Sequence, residues 1–353
     1  MRILDRYLAT AVINGTLMTL AVLLPLLGVF ILADEINDIG INDYGLGQAM
    51  VFVTLSLPRY AYQVFPIATL IGALVGLGTL AGRSELVAMR AAGISIQRIV
   101  FGALGGGVVL ALLAILIGEV VAPPAEQRAL AMRSTAQTGD VMQLTASGFW
   151  ARDGAAFVNI REIDPPRQLR GIYIYELDGT WLREALHARE ARYVRGEWVL
   201  QDIRRSWLEA DGVRIEAQPR AVWDSLINPG LLKVIVVEPH ALPVWGLWRY
   251  VQFLQQSAQD AGRYQVAFWA KVVQPLLILA MIFVSIPVLL GSARSASLGT
   301  KVFVGIVLGI VFYLITRTFA YLALLYQMNA ALAAIAPPLL FVLAAFWWLR
   351  RVG

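Results

Sequence analysis

Long apolar blocks occupy both ends of the chain. A helix needs about 20 apolar residues to cross about 30 Å of hydrocarbon. Blocks of about this length occupy residues 8–33, 59–81, 99–121, 267–290, 302–325 and 330–349. The pattern predicts a membrane α-helical protein with six transmembrane helices, three before and three after a central stretch of different character.

The central stretch, residues 122–245, has the pattern of β-strands. Aromatic and β-branched residues recur there at strand spacing, and no long helical period is evident. Asp178-Gly179 and Asp211-Gly212 are dipeptides typical of hairpin turns, and Arg195-Gly196 is a weaker third signal. These signals predict an inserted all-β domain, with a sandwich, a jelly roll or a partly open barrel as the alternatives.

After the β domain, residues from about 244 to 265 predict an amphipathic helix that leads back to the membrane. Trp245, Trp248 and Tyr250 are the expected anchors at the membrane interface. The predicted boundaries are 1–121 for spans one to three, 122–245 for the β domain, and 246–353 for the connecting helix and spans four to six.

The basic residues in the short loops predict the orientation, because loops rich in Lys and Arg stay in the cytoplasm. The short loops opposite the termini, about 34–48 and 326–329, contain none. The basic residues on the side of the termini are Arg2, Arg6, Arg83, Arg90, Arg98, Arg294, Lys301, Arg350 and Arg351. Both termini are therefore predicted to be cytoplasmic, and the insertion to face the other side.

Composition agrees with a membrane protein and excludes several classes of site. The chain is 58% hydrophobic and 15% charged, against about a quarter charged in soluble domains. It contains no cysteine, and its two histidines, His187 and His240, lack partners at metal-ligand spacing, so no metal site is predicted. The net charge is +5, but the basic residues form no continuous tract, which argues against nucleic-acid binding.

Common motifs of catalysis are missing from the sequence. It has no G-x-x-x-x-G-K-[ST] loop for ATP, no G-x-S-x-G and no H-E-x-x-H. Gly72, Gly76, Gly78 and Gly82 lie inside span two at near-helical spacing, which favours close helix packing over a nucleotide loop. We expect a non-catalytic chain that binds no cofactor of its own.

The connector between spans two and three, residues 82–93, predicts a short helix. Ser84 is a candidate N-cap, Glu85 suits the first turn, and Gly93 can end the helix. Its two faces are formed by Leu86, Val87, Met89 and Arg90. The connector is either a plain surface link or a helix that docks into a cytoplasmic partner, with apolar anchors for affinity and Glu85 or Arg83 for register.

Four arginines are predicted near the outer leaflet. Arg59 lies about 33 Å of helix from the cytoplasmic end of span two, and Arg317 about 24 Å beyond Lys301 in span five. Arg128 and Arg133 follow span three. The four could form a cationic ring that binds phosphate groups, because intramembrane charges usually face a cavity or a partner. The alternatives are snorkelling, or pairing with carboxylates such as Asp34, Glu35 or Glu119.

Several motifs, taken in order along the whole chain, resemble the family of lipopolysaccharide export permeases, LptF/LptG, and more closely its LptG branch. The motifs are Leu4-Asp5-Arg6-Tyr7, Gly82-Arg83-Ser84-Glu85-Leu86, Gly118-Glu119-Val120-Val121-Ala122-Pro123, Gln259-Asp260-Ala261-Gly262-Arg263-Tyr264-Gln265, and Trp269, Lys271, Gln274 and Pro275 in span four. The resemblance implies a multi-pass protein of the Gram-negative inner membrane whose inserted domain is a periplasmic β-jellyroll.

The resemblance also implies partners and a mechanism. The chain would pair with the sister permease LptF, each permease would dock one copy of the ATPase LptB, and lipopolysaccharide would pass through the jellyroll toward LptC. LptB would use ATP and Mg²⁺ to drive extraction of the lipid from the outer leaflet. Spans one and five would form lateral gates with LptF.

Residue roles follow from the same resemblance. Residues 84–93 match the coupling helix, and its ATPase-coupling residues would be Arg83, Ser84, Glu85, Leu86, Met89 and Arg90, with Glu85 as the acidic contact to LptB. The lipopolysaccharide-binding residues would be Arg59, Arg128, Arg133 and Arg317.

The outer end of span one departs from the family pattern. Family members carry lysines there, whereas this chain has Asp34, Glu35 and Asp38. A divalent cation could bridge these carboxylates to phosphates, or Arg317 could supply the missing positive charge. The rival functions are another class of transporter permease, a membrane-anchored binding protein and a secondary transporter.

Overall fold

The computed structural model describes residues 3–138, 149–153, 156–164, 168–178, 181–194, 197–209, 212–223, 239–256, 259–290 and 297–352. The chain forms two compact units. The helix unit comprises Met1–Asn37, Val53–Glu126 and Gly262–Gly353, and the sheet unit comprises Asp38–Phe52 and Gln127–Ala261.

Nine α-helices are found among the described residues: α1 Ile3–Glu35, α2 Leu46–Gly82, α3 Glu85–Ala91, α4 Ile96–Leu116, α5 Ala122–Thr138, α6 Val244–Gln256, α7 Gly262–Leu290, α8 Leu298–Leu325 and α9 Ala330–Val352. Six helical segments of the described chain are long and apolar enough to cross a membrane, which confirms the predicted span count. The spans are α1, α2, α4 with its continuation, α7, α8 and α9.

The helix of span three continues well beyond the predicted end at residue 121. A π-helical turn, Ile117–Val121, joins α4 to α5, which ends at Thr138. The prediction that residues 122–245 lack a long helix is therefore wrong for the first part of that range. A helix does not have to end where its apolar block ends, and the wider π turn accommodates Pro123 and Pro124 at the start of α5.

Two other helix bounds differ from the expected ones. Helix α2 begins at Leu46 rather than near Arg59, so Arg59 lies inside the helix. Helix α6 ends at Gln256 rather than near residue 265. Trp245 and Trp248 are exposed as expected of interfacial anchors, whereas Tyr250 is buried. Tyr250 therefore packs inside the protein and is not an anchor.

The core of the helix unit depends on backbone contacts at glycines. A Cβ atom on Gly72 would overlap the backbone of Thr16 in α1, and one on Gly76 would overlap Ala11. A Cβ on Gly106 in α4 would come within 2.7 Å of the Ala9 carbonyl oxygen. Helix α1 therefore packs closely against both α2 and α4, which confirms the packing role predicted for Gly72 and Gly76. Gly82 faces open space.

The sheet unit contains six described strands: β1 Phe149–Asp153, β2 Ala156–Asp164, β3 Gln168–Asp178, β4 Trp181–Val194, β5 Glu197–Glu209 and β6 Gly212–Trp223. Each strand pairs antiparallel with the next, in the order β1-β2-β3-β4-β5-β6. The all-β character of the insertion after α5 is confirmed. The pairings that are described form a meander, and they include no crossover of the kind that a jelly roll uses.

The strand pairs end where the turn signals predicted. Asp178 pairs with Trp181, Val194 with Glu197, and Glu209 with Gly212. The predicted turn residues Gly179, Arg195, Gly196 and Asp211 lie outside the described residues. One face of the sheet forms a core, in which Ile160, Ile172, Ala188 and Ile203 are adjacent across four strands and almost fully buried.

Candidate functional site

The connector between spans two and three is helical, as predicted, over α3. Its end is a Schellman motif, in which the Gly93 N–H donates to the Arg90 carbonyl and the Ile94 N–H donates to the Met89 carbonyl. Gly93 has φ +84, a conformation that favours glycine. Ser84 stands at the N-cap position, but its φ is 60 and its side chain makes no cap hydrogen bond, so the predicted side-chain cap is wrong.

The two faces of α3 differ in burial. Leu86 is buried in the core of the helix unit together with Leu8 and Ile99, and Met89 packs against the same core. These two side chains contribute to that core rather than to the exposed face of α3, and their ATPase-coupling role remains a prediction. Residues Arg83, Ser84, Val87 and Arg90 are exposed.

Glu85 is half-buried and is bonded within the chain. Its Oε2 accepts a hydrogen bond of 2.6 Å from the Tyr7 hydroxyl on α1. Two residues before Tyr7, Asp5 Oδ2 accepts a hydrogen bond of 2.7 Å from Arg98 at the start of α4. The first turns of α1 therefore contact both the connector and the helix that follows it.

Arg59 lies in an ion pair. Its Nε is 3.1 Å from Glu126 Oε1, and the Glu126 side chain is only 4% exposed. The guanidinium also lies over the ring of Tyr60. Pairing with a carboxylate was one of the three interpretations open from the sequence, but Glu126 was not among the candidate partners.

Arg133 and Arg128 differ in their surroundings. Arg133 forms an ion pair with Asp38, and its guanidinium lies over the Phe52 ring. Arg128 is exposed. Arg59 belongs to the helix unit, whereas Arg128 and Arg133 belong to the sheet unit. The ring of four arginines therefore remains a prediction.

Arg317 is exposed on α8. Its Nε donates to the Tyr313 hydroxyl over 3.2 Å, and its guanidinium lies 5.3 Å from the centre of the Tyr313 ring. Among the described residues it forms no ion pair. A tyrosine hydroxyl leaves the positive charge uncompensated, so this guanidinium could bind an anion without first losing a carboxylate.

A buried charged cluster in the helix unit was not among the predicted site residues. Lys271 Nζ lies 3.0 Å from Glu119 Oε1 and 3.3 Å from the Gly118 carbonyl. Glu119 and Gly118 belong to the π turn, and a Cβ on Gly118 would overlap the Tyr62 ring. The sequence did contain a signal for this cluster, because Glu119 and Lys271 are charged residues inside two different apolar blocks. Charges within a membrane span usually pair with one another.

The sheet unit contains a cavity of about 480 Å³. It is lined by Tyr173, Tyr175, Ala185, Leu186, His187, Arg204, Ser206, Ile215 and Ala217. Burial, followed by the positive charges of Arg204, Arg161 and Arg189, lowers the pKa of His187. The imidazole is therefore neutral at neutral pH and packs against the Tyr173 ring.

The acidic end of span one was a candidate cation site. No group of three or more His, Asp or Glu side chains that could hold a metal ion occurs in the part of the chain that the structure describes. Asp34 is exposed, Glu35 is buried, and Asp38 pairs with Arg133. The bridging cation at that end remains a prediction.

Comparisons with known proteins agree over nearly the whole chain. The family model for the lipopolysaccharide export system permease LptF/LptG matches residues 6–351. The lipopolysaccharide export system permease protein LptG of Haemophilus influenzae is 31% identical over 351 residues, which cover 99% of this chain and 98% of that protein. LptG of Escherichia coli strain K12 is 35% identical over 353 residues, with coverages of 99% and 98%.

Proposed function

The chain belongs to the lipopolysaccharide export system permease family LptF/LptG, and from this premise we propose that it is a transmembrane subunit of a lipopolysaccharide exporter in the inner membrane. The observation that carries the proposal is the match over residues 6–351 together with 35% identity to LptG. The six spans and the sheet inserted after the third support it.

The proposed assembly contains a second permease, LptF, an LptB dimer as the ATPase, and LptC as the acceptor of the lipid. Both termini and the connector are cytoplasmic, and the sheet unit is periplasmic. This chain performs no bond chemistry. ATP and Mg²⁺ are used by the ATPase, and the permease converts a difference in lipid affinity between an open and a closed cavity into movement of the lipid.

Among the four candidate arginines, Arg317 and Arg128 are the best suited to contact lipopolysaccharide phosphates. Arg59 and Arg133 already hold carboxylates, so a phosphate would have to displace Glu126 or Asp38 and leave that carboxylate without its partner. Arg317 is exposed, lies against Tyr313 and forms no ion pair with the residues that the structure describes. It can therefore supply the charge that the acidic end of span one lacks.

The exposed face of the connector is the proposed contact with the ATPase. Arg83, Ser84, Val87 and Arg90 form this face, because Leu86 and Met89 are turned into the helix core. Charged and small side chains on a short helix favour docking by complementary charge and shape more than by a deep apolar anchor.

Copurification separates the proposal from its rivals. A tagged chain expressed with its neighbours should retain a soluble ATPase subunit and a second, similar permease. A membrane-anchored binding protein or a secondary transporter would retain neither, and that result would contradict the proposal.

A charge reversal tests the lipid contact. In the assembled transporter, Arg317→Glu should lower lipopolysaccharide-stimulated ATP hydrolysis at least about tenfold, because a carboxylate repels the phosphates that a guanidinium binds. Arg351→Glu is the matched control, since Arg351 also lies on an aromatic ring one turn earlier, that of Trp347, at the opposite end of the helix unit. Equal stimulation in the two variants would exclude Arg317 as the lipid contact.

A further inference from the structure

Glu85 is directed by a side chain of span one. The Tyr7 hydroxyl donates to Glu85 Oε2 over 2.6 Å, across 78 residues of sequence. A hydrogen bond to a carboxylate is stronger than one between neutral groups, and it fixes the orientation of the acceptor. One carboxylate oxygen of Glu85 is thus bonded to α1, while the exposed face of the connector lies beside it.

The connector and the first half of α1 are joined at further points. Leu86 of α3 and Leu8 of α1 belong to one buried cluster. The Asp5–Arg98 ion pair links the first turn of α1 to the first turn of α4. Displacing α3 or the start of α4 would therefore pull directly on residues 5–8 of α1.

The next two turns of α1 make the closest backbone contacts. Ala9, Ala11, Gly15 and Thr16 contact glycines of α2 and α4 so closely that a Cβ on those glycines would meet backbone atoms. Beyond Thr16 the character of α1 changes. Leu17, Met18, Val22, Leu26, Val29 and Phe30 are exposed, and Pro25 interrupts the hydrogen bonding of the helix.

We infer that Tyr7 is a positioning residue that couples the connector to span one, through its hydrogen bond to Glu85. This bond transmits a movement of the connector to residues 3–16 of α1. Because these residues belong to the same helix as the exposed half from Leu17 onward, that half, which includes Pro25, moves with them. The inference rests on the proposed function, because it takes the connector as the point where the ATPase acts.

The test is a double-mutant cycle in the assembled transporter with Tyr7→Phe, Glu85→Ala and both changes together, because a glutamine at position 85 would still accept the bond from Tyr7. Tyr7→Phe removes one hydroxyl and should leave the amount of bound ATPase and the KM for ATP unchanged. It should lower the ratio of lipopolysaccharide-stimulated to basal hydrolysis about threefold, and the double variant should lose no more than Glu85→Ala alone. Thr10→Ala is the control, since the Thr10 hydroxyl donates to the Arg6 carbonyl of its own helix.

Three results would overturn the inference. The ratio could be unchanged in Tyr7→Phe, or the two single effects could add, which would mean that the residues act independently. The third is loss of the ATPase from the Tyr7→Phe complex, because Tyr7 would then serve docking rather than transmission. If the unaltered chain itself retains no ATPase subunit, the proposed function fails, so the two failures are distinguishable.

Discussion

The two ends of the helix unit are held together by different kinds of contact. At the connector end, formed by the first half of α1, the second half of α2 and the first half of α4, helices meet backbone to backbone at Gly72, Gly76 and Gly106. At the π-turn end, the buried pairs Arg59–Glu126 and Lys271–Glu119 join α2 to α5 and α7 to the π turn.

Because of this difference, we expect the connector end to be rigid and the contacts at the π-turn end to be able to rearrange. Close backbone packing has a single good geometry, because a shift of a fraction of an ångström makes atoms overlap. An ion pair can lengthen, admit water or exchange partners. We therefore expect the connector end to move as one piece, and rearrangements to occur at the π-turn end.

The largest effect is expected from filling a glycine contact. Gly72→Leu would drive a side chain into the backbone of Thr16 and separate α1 from α2, at a cost above about 5 kcal/mol, so the folded protein should not accumulate in the membrane. The yield of detergent-extracted, monodisperse protein measures this. Gly47→Leu, on the same helix but with nothing within 4 Å, is the control; its yield should equal that of the unaltered protein, and it should melt at nearly the same temperature by tryptophan fluorescence. Equal yields of the two variants would show that the glycine contacts are not needed.

A smaller effect is expected from the pair at the π turn. Lys271→Met leaves the buried Glu119 carboxylate without its partner and should cost about 3 kcal/mol in the same melting experiment. The double variant Lys271→Met with Glu119→Leu should recover most of this loss, because it removes both charges. A double variant as unstable as the single one would mean that the polar network, including the Lys271 bond to the Gly118 carbonyl, is needed as a whole.

The smallest effect is expected from the ion pair at the connector end. Arg98 is 38% and Asp5 17% exposed, so solvent screens their attraction, and Arg98→Gln should cost only about 0.5–1 kcal/mol. The same melting experiment checks this value. If Arg98→Gln lowered the stability as much as Lys271→Met, the ion pair at the connector end would matter as much as the one at the π-turn end. The two ends would then not differ in the kind of contact that stabilises them.

Much of the fold was predictable because its signals are local. An apolar block of about 20 residues and a period of two are properties of short windows, so the six spans and the strands around Asp178, Val194 and Glu209 could be located from the sequence. The signal for the end of the connector helix at Gly93 was equally local, since this end depends on one residue with positive φ.

The candidate site was predictable only in part. Its residue types were identified, but their partners were not. The sequence offered Asp34, Glu35 and Glu119 as carboxylates for the outer arginines, whereas the structure pairs Arg59 with Glu126, Arg133 with Asp38, and Glu119 with Lys271. The burial of Leu86 and the bond from Tyr7 to Glu85 were also not foreseen.

By itself, then, the sequence determined the number of spans, the β character of the insertion and the positions of the charges along each helix, because these follow from periods and block lengths. Only the tertiary structure decided how far α2 and the third span extend, which charges meet, and which face of the connector is free. Those properties depend on which helices are neighbours, and residues hundreds of positions apart in the chain determine that.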